Sequence, residues 1–279
     1  MKTLEDKIKF AIHLLQAAER KAAEAGQPVE ICYSGGKDSD VILELARMAK
    51  INYRAIYKNT TIDPPGTIKH CKERGVEMIR PKATFGELIA KHGMPSRIRR
   101  FCCGDLKEYK ILDYAVVGVR KDESSARNAR YDEPEECRVY SKNSKCRFYY
   151  PLLWWTKEDV AEFVRLRNIR CHPLYYDKKG NFHPERRLGC MCCPLASRNN
   201  RLAEFHKHPN MVKYYVRYAQ RYLDNHSSSP MHKYVRNAYE WFVFHLFYDN
   251  LAQFKEFLRG GICSEKKWIA KTCWNNILI

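Results

Sequence analysis

The stretch that decides the architecture is Val29-Glu30-Ile31-Cys32-Tyr33-Ser34-Gly35-Gly36-Lys37-Asp38-Ser39-Asp40-Val41-Ile42-Leu43-Glu44-Leu45-Ala46. Its first five residues read as a short buried strand, and those from Lys37 onward as a helix. Between them lies a turn of two adjacent glycines, which let the backbone approach a ligand closely. The helix that follows points free N–H groups and its positive dipole end at the same place. Ser34 and Ser39 add hydroxyls and Lys37 adds a cation, so the residues Ser34, Gly35, Gly36, Lys37, Asp38 and Ser39 form a phosphate cradle. It is not a Walker A loop, because Lys37 is followed by Asp38-Ser39 and the earlier spaced glycine is absent. The bland alternative is a tight strand–helix turn with no ligand.

Working outward, Leu4, Ile8, Ile12, Leu15 and Ala18 recur at helical spacing, and Gly26-Gln27-Pro28 ends that helix. Strands are predicted at Tyr53 to Tyr57, Val76 to Ile79 and Ala115 to Val119, the last without alternation, as befits a parallel strand covered on both faces. Helices are predicted at Thr67 to Arg74, Phe85 to Lys91, Asp105 to Leu112 and, from the Thr156 cap, to about Arg167. Alternating strands and helices imply an α/β fold: an open, mostly parallel sheet with helices on both faces, whose ligands bind beyond the carboxyl ends of the strands. After about Pro194 the pattern becomes helical, at Asn199 to Phe205, Pro209 to Asp224, Pro230 to Asn250 and Leu251 to Leu258. The expected division is therefore a nucleotide-binding domain over 1–196 and a basic helical C-terminal extension over 197–279.

The 279 residues carry a formal charge of +18, of which residues 1–150 supply +8 and residues 151–279 supply +10. That spread is a diffuse attraction for polyanions, whether nucleotide, nucleic acid or anionic lipid. No apolar run reaches the roughly 20 residues of a membrane span, and the mixed-charge N-terminus does not resemble a signal or transit peptide. A cytoplasmic location without membrane attachment is the expectation. Twelve cysteines then point to metal or redox chemistry rather than a disulfide framework; Cys32 and Cys71 read as ordinary buried thiols.

Four of the twelve stand out. Cys102-Cys103 and the C-x-x-C pair Cys190/Cys193 are separated by 86 residues. Two thiolates on each of two loops suit a [4Fe–4S] cluster or structural zinc. Spacing does not separate these from each other or from free thiols. Cys192 makes the second pair ambiguous. Arg99 and Arg100 offset the charge of a thiolate site, Lys107, one helical turn beyond Cys103, is expected close to that site and to the nucleotide, and His172 and His183 read as loop residues flanking the second pair. Further along, Arg120 and Arg127 follow the strand at Ala115 to Val119, where guanidinium groups hold phosphate or sulfate oxygens, and Glu123 can orient them.

Ser-Gly-Gly-Lys-Asp-Ser resembles the signature of the PP-loop (N-type ATP pyrophosphatase) superfamily, with its adenine nucleotide alpha hydrolase-like fold. Other segments resemble its phosphoadenosine phosphosulfate (PAPS) reductase-like branch: Asn59-Thr60-Thr61-Ile62-Asp63-Pro64-Pro65-Gly66-Thr67, Gly118-Val119-Arg120-Lys121-Asp122-Glu123-Ser124-Ser125-Ala126-Arg127, Tyr150-Pro151-Leu152-Leu153-Trp154-Trp155-Thr156, and His172-Pro173-Leu174-Tyr175, with His in place of Asn. The likeness covers roughly Val29 to Ala196. It implies an ATP, APS or PAPS site with Mg2+, drawing on Ser34 to Ser39, Thr60, Lys107, Glu123 and Ser124, with Lys37, Asp38, Arg120 and Arg127 as the catalytic set. It further implies a [4Fe–4S] cluster on Cys102, Cys103, Cys190 and Cys193, as in adenosine phosphosulfate reductases, with zinc as the lesser alternative. The Glu-Cys-Gly-Leu-His segment that carries the reductases' nucleophile is missing, and Cys263 and Cys273 do not match it.

Three functions follow from this. The first is ATP-dependent, pyrophosphate-forming activation of an acceptor for sulfur transfer, with nucleic acid or another polyanion as acceptor and a sulfur donor as partner. The second is a sulfonucleotide reductase served by a reductant protein. The third is a non-catalytic nucleotide- and nucleic-acid-binding subunit with a structural metal. In the extension, Tyr214, Tyr215, Tyr218 and Tyr222 with Lys213, Arg217 and Arg221 fit either a core stripe beside a solvated basic face or a single-strand-binding surface.

Overall fold

The computed structural model describes residues 3–96, 99–141 and 144–247. It contains one six-stranded sheet of order β3-β2-β1-β4-β6-β5. Its strands are β1 (Val29–Tyr33), β2 (Tyr53–Lys58), β3 (Glu77–Ile79), β4 (Tyr114–Val116), β5 (Glu135–Ser141) and β6 (Ser144–Tyr149). All neighbours are parallel except β5 and β6, an antiparallel pair at one edge. The strand order reverses beside β1, with β2 and β3 on one side and β4 and β6 on the other. The carboxyl ends of β1 and β4 therefore flank the switch point, where open α/β sheets receive ligands.

The chain forms two compact units. The first comprises the residues through Asn59, Asp63–Arg80 and Glu108–Gly189. It holds the whole sheet together with helices α1 (Leu4–Glu24), α2 (Lys37–Ala49) and α3 (Thr67–Glu73). Its core is Leu15, Ile31, Val41, Ile42, Leu45, Val116, Trp155 and Phe163, with α1 packed on α2 and against β1, β4 and β6. The second unit comprises Thr60–Ile62, Pro81–Lys107 and the described residues from Cys190. Here α4 (Phe85–His92) and α5 (Phe101–Leu106) join the later helices α8 (Arg198–Lys207), α9 (Pro209–Asn225) and α10 (Ala238–Phe247) around Phe85, Ile89, Phe205, Tyr215 and Phe242. Completing the chain order, α6 is Ser125–Arg130 and α7 is Lys157–Leu166.

Several elements differ from the sequence reading, each for a local reason. The helix expected over 105–112 is instead α5, which stops at Leu106, and Lys110 at φ +47° has a backbone that no right-handed helix continues. The strand expected to reach Val119 stops at Val116, because the Val119 N–H turns back to the Val117 carbonyl at 2.9 Å. The helix expected from Pro230 is interrupted. A single 3-10 turn covers Pro230–Lys233, and α10 begins afresh at Ala238, where the Asn237 side chain accepts from Glu240 N at 3.0 Å. The β5–β6 hairpin was not foreseen, since Glu135-Glu136-Cys137-Arg138 carries no apolar alternation. Residues 248–279, with the helix expected over 251–258, Cys263 and Cys273, lie outside the described residues. Among those described, no helix is long and apolar enough to cross a membrane.

Candidate functional site

The loop after β1 is held open by its own backbone. Gly35 has φ +77°, and a Cβ there would stand 3.1 Å from Thr67 Cγ2 and 3.3 Å from Leu188 Cδ2. Gly36 caps α2 with no side-chain hydrogen bond, leaving the first N–H groups of that helix facing the loop. Ser34 Oγ accepts from Gly36 N at 3.3 Å, and Ser39 Oγ donates to the Gly36 carbonyl at 2.7 Å. The hydroxyls thus shape the turn as well as offering polar groups to it.

Two cations converge on one carboxylate at this loop. Asp38 receives Lys37 Nζ at 3.1 Å and Arg120 Nε at 2.7 Å. Arg120 is 3% exposed and also donates to Asp122 at 3.2 Å and to the Trp155 carbonyl at 3.4 Å. The Lys37 ammonium lies 5.3 Å from the centre of the Tyr175 ring, and the Tyr175 hydroxyl accepts from Leu188 N at 3.2 Å. The His172-Pro173-Leu174-Tyr175 segment therefore packs directly on the loop. Gly118 makes room for the same group, because a Cβ there would stand 3.2 Å from the Asp38 Cβ.

Behind the loop is a polar cluster that the sequence reading missed. Asp40, fully buried, accepts from Tyr33 Oη at 2.5 Å, meets His70 Nε2 at 3.0 Å and pairs with Arg74. Burial, with the Asp40 charge beside it, pushes the Tyr33 hydroxyl far above its ordinary pKa. The signal available was a second acidic residue two positions after Asp38, which reads as an exposed helix start until the fold buries it.

The remaining residues proposed from the sequence divide in their roles. Glu123 does not orient Arg120; it pairs with Arg127 and with Arg187, the latter at 3.1 Å. Arg187 was not singled out from the sequence. Ser124 caps α6, accepting from Arg127 N at 3.2 Å. Thr60 is buried and accepts from the Cys190 thiol at 3.6 Å, within the second unit. Lys107 also belongs to that unit, and its N–H closes the last turn of α5 on the Cys103 carbonyl at 2.9 Å.

Cys102, Cys103, Cys190 and Cys193 all belong to the second unit. The Cys102 thiol donates to Cys103 and is pushed up in pKa by that bond, by burial and by the nearby Cys103, Cys193 and Cys190. Cys103 is lowered to about 6, first by the hydrogen bond from Cys102 and then by Arg100 and Lys107. Arg99 turns elsewhere, to the His92 carbonyl at 2.8 Å. Cys192 separates from the set: it is fully buried in the helical core at φ +52°, and burial raises its thiol to about 12. Its carbonyl accepts from Tyr215 Oη at 2.9 Å. His172 is engaged by Leu174 N and Thr67, and His183 by Asp177 and Glu185. Ten cysteines lie among the described residues, and all are free thiols.

As they stand, no three or more His, Cys, Asp or Glu side chains among the described residues are arranged to hold a metal ion. What fits a metal centre is the chemistry of the donor set: four thiols within mutual influence, one of them lowered to about 6, with Arg100 and Lys107 to balance charge.

The α9 tyrosines are spent on packing. Tyr215 is buried, Tyr214 Oη accepts from Gly86 N at 2.7 Å, Tyr214 stacks on Phe85, and Tyr222 stacks on His226 and meets Trp241. That is the core stripe, not a row of free stacking platforms.

A mostly parallel sheet with a glycine turn at its switch point defines an open α/β protein with a place for a ligand at the carboxyl ends of its strands. More specifically, the chain belongs to the phosphoadenosine phosphosulfate reductase domain family, whose model matches residues 28–196. It is 26% identical over 208 residues to an uncharacterized protein of Methanocaldococcus jannaschii, covering 70% of this chain and 48% of that protein. It is 28% identical over 207 residues to sulfate adenylyltransferase subunit 2 of Chromobacterium violaceum, covering 60% of this chain and 63% of the relative. The chain thus spans about half the length of the first relative and under two thirds of the second. Among solved structures, the U34-tRNA thiolase of Methanococcus maripaludis with its [4Fe-4S] cluster matches 94% of this chain and 83% of its own, at 17% identity and a TM-score of 0.41. The PAPS reductase of Candida auris matches 64% of this chain and 94% of its own, at 18% identity and a TM-score of 0.41. The family assignment rests on the match over residues 28–196.

Proposed function

We propose that the protein binds Mg-ATP at Ser34 to Ser39 and transfers AMP to an acceptor oxygen, releasing pyrophosphate, so that a sulfur nucleophile can then displace AMP. The observation that carries this reading is Asp38 holding Lys37 and Arg120 at the end of β1. When the triphosphate enters, the two cations are already aimed, and the acceptor oxygen attacks the α-phosphorus as the bond to pyrophosphate breaks. The likeness to sulfate adenylyltransferase subunits supports adenylyl transfer as the step. A nucleic-acid or other polyanionic acceptor is favoured by the +18 charge.

A [4Fe–4S] cluster held by Cys102, Cys103, Cys190 and Cys193 would supply an iron site for sulfur, whereas zinc there would be structural. The hydrogen bond from Cys102, with Arg100 and Lys107, lowers the Cys103 thiol for either. The reductase reading is favoured only by the family's name. It requires a nucleophile, for which Cys263 and Cys273 are the candidates.

Pyrophosphate release from Mg-ATP, assayed with nucleic acid and a thiol donor present, tests the proposal. Lys37→Ala and Asp38→Ala are each expected to lower it by about 100-fold or more. Absence of release from the wild-type protein with every acceptor overturns adenylylation. Sulfite release with thioredoxin, lost in Cys263→Ser or Cys273→Ser, would replace it with the reductase. Tight, salt-sensitive nucleotide and nucleic-acid binding without turnover would leave a binding subunit.

A further inference from the structure

Asp40 lies on the first turn of α2, fully buried, and takes no part in the nucleotide step described above. Its carboxylate is shared among three elements. Tyr33 Oη, at the end of β1, donates to Oδ1 at 2.5 Å. His70 Nε2, on α3, stands 3.1 and 3.0 Å from the two oxygens, and Arg74 Nε, on the turn that ends α3, lies 3.4 Å from Oδ1. Tyr33 and Asp40 are the residues immediately before and after the run Ser34 to Ser39, so their bond ties the two ends of the glycine loop to each other. Asp40 N closes the same turn on the Gly36 carbonyl at 3.0 Å. A buried carboxylate is costly unless hydrogen-bonded partners offset it. Here two of those partners, Tyr33 and His70, are themselves buried, each 3% exposed.

The same cluster sets how α3 lies against the loop. Thr67, His70 and Cys71 share the buried face of α3. A Cβ on Gly35 would stand 3.1 Å from Thr67 Cγ2 and 3.9 Å from Cys71 Sγ. The His70 ring meets the His172 ring edge-on, with 5.8 Å between centres. His172 Nδ1 accepts from Leu174 N at 3.1 Å, so its proton is on Nε2, which lies 3.4 Å from the Thr67 hydroxyl. His172 in turn caps the 3-10 turn Pro173–Tyr175, which brings the Tyr175 ring to Lys37. We propose that Asp40 and His70 are positioning residues for the nucleotide step: with Tyr33 they form a clasp that fixes the width of the glycine loop and the approach of α3 and Tyr175 to it. The proposal rests on the reading of this loop as the Mg-ATP site. Asp40 and His70 act through the backbone of Gly35, Gly36 and Lys37, whose N–H groups must be spaced for phosphate oxygens before the nucleotide arrives.

Hydrogen exchange read by mass spectrometry on the nucleotide-free protein tests the clasp directly. His70→Leu and Tyr33→Phe are each expected to speed exchange of the peptide spanning Ser34 to Asp40 by about tenfold, as loss of one hydrogen bond to a charged group should. In the pyrophosphate assay both are expected to raise the KM for ATP by about tenfold while kcat stays within about threefold, since the loop holds the phosphates in the ground state and the transition state alike. His70→Gln, whose amide can donate from the position of Nε2, should bring both measurements back to within about threefold of wild type, a rescue that a merely packed imidazole would not give. Circular dichroism checks that the variants are folded, and if His70→Leu is not, Tyr33→Phe decides by itself. Faster loop exchange in the variants of a protein whose wild type neither binds nor cleaves ATP supports the clasp and overturns the nucleotide reading. Unchanged loop exchange in Tyr33→Phe and folded His70→Leu overturns the clasp. So does a KM that holds in both variants of an active protein, or a His70→Gln variant as impaired as His70→Leu.

Discussion

The glycine loop and the cysteine set are assembled in opposite ways. The loop is one contiguous run between β1 and α2, so chain connectivity places Ser34, Lys37 and Asp38 together, and Arg120 and Tyr175 arrive from elsewhere. The cysteine set joins two pairs 86 residues apart, on the six-residue α5, which has no side-chain cap, and on a turn that passes through Cys192 at φ +52°. In the loop, opposite charges are already matched, Asp38 with Lys37 and Arg120. Among the cysteines, like groups face one another, and one thiol must keep its proton for its neighbour to lose one. A matched set balances its own charges, whereas clustered thiols would gain most from a bound cation.

The largest effect should come from breaking that second set. Anaerobically purified protein, assayed for iron, sulfide and zinc, is expected to lose its metal in Cys190→Ser and keep it in Cys192→Ser. Cys192 is fully buried in the helical core, whereas Cys190 and Cys193 are only partly buried. Equal metal loss in both variants would erase the distinction between a ligand pair and a core cysteine. Iron with sulfide identifies a cluster, and zinc alone a structural site.

The next effect is on the stability of the helical unit. His245 is lowered to about 4, first by burial and then by Arg201. The folded chain thus keeps it neutral where the unfolded chain, near 6.5, takes up a proton. The unfolded state binds more protons between those values, so the stability contribution is complete above about 6.5 and is lost as pH falls toward 4. The predicted loss is on the order of 3 kcal/mol across that window. Denaturant melts of the wild-type protein should show it, and melts of His245→Gln should be flatter over the same range. An identical slope in both would place the acid sensitivity elsewhere.

The same contrast explains how much was legible in the sequence. The strand, glycine turn and helix from Val29 to Ala46 announce themselves by local pattern, and so does the helical character of the chain after Pro194. Tertiary environment is not written locally. Asp40 reads as a solvated helix start but lies fully buried between Tyr33 and His70. Cys192 is indistinguishable from its neighbours until burial separates it. Arg187 looks like one basic residue among 50 until Glu123 is found against it. Edge strand β5 escaped because its charged sequence, Glu135-Glu136-Cys137-Arg138, carries no apolar period. The tyrosines of α9 were ambiguous because a core stripe and a stacking surface share one composition, and only the packing on Phe85, Gly86 and Trp241 decides.

The smallest effect probes how tightly the loop is matched. Gly118 follows β4 and lies against the start of α2, where a methyl group would stand 3.2 Å from the Asp38 Cβ and 3.4 Å from Ile42 Cδ1. The first distance is tighter than comfortable carbon contact, so Asp38 must give by a few tenths of an ångström. That movement reaches Lys37 and Arg120 together, because both bond the same carboxylate. Gly118→Ala is therefore expected to raise the KM for ATP in the pyrophosphate assay by about three- to tenfold, while the melting temperature changes little. If instead stability falls and KM holds, Gly118 serves packing alone. Asp38 would then tolerate displacement, and the matched character of the loop would reside in the Lys37 and Arg120 side chains, which are long enough to follow it.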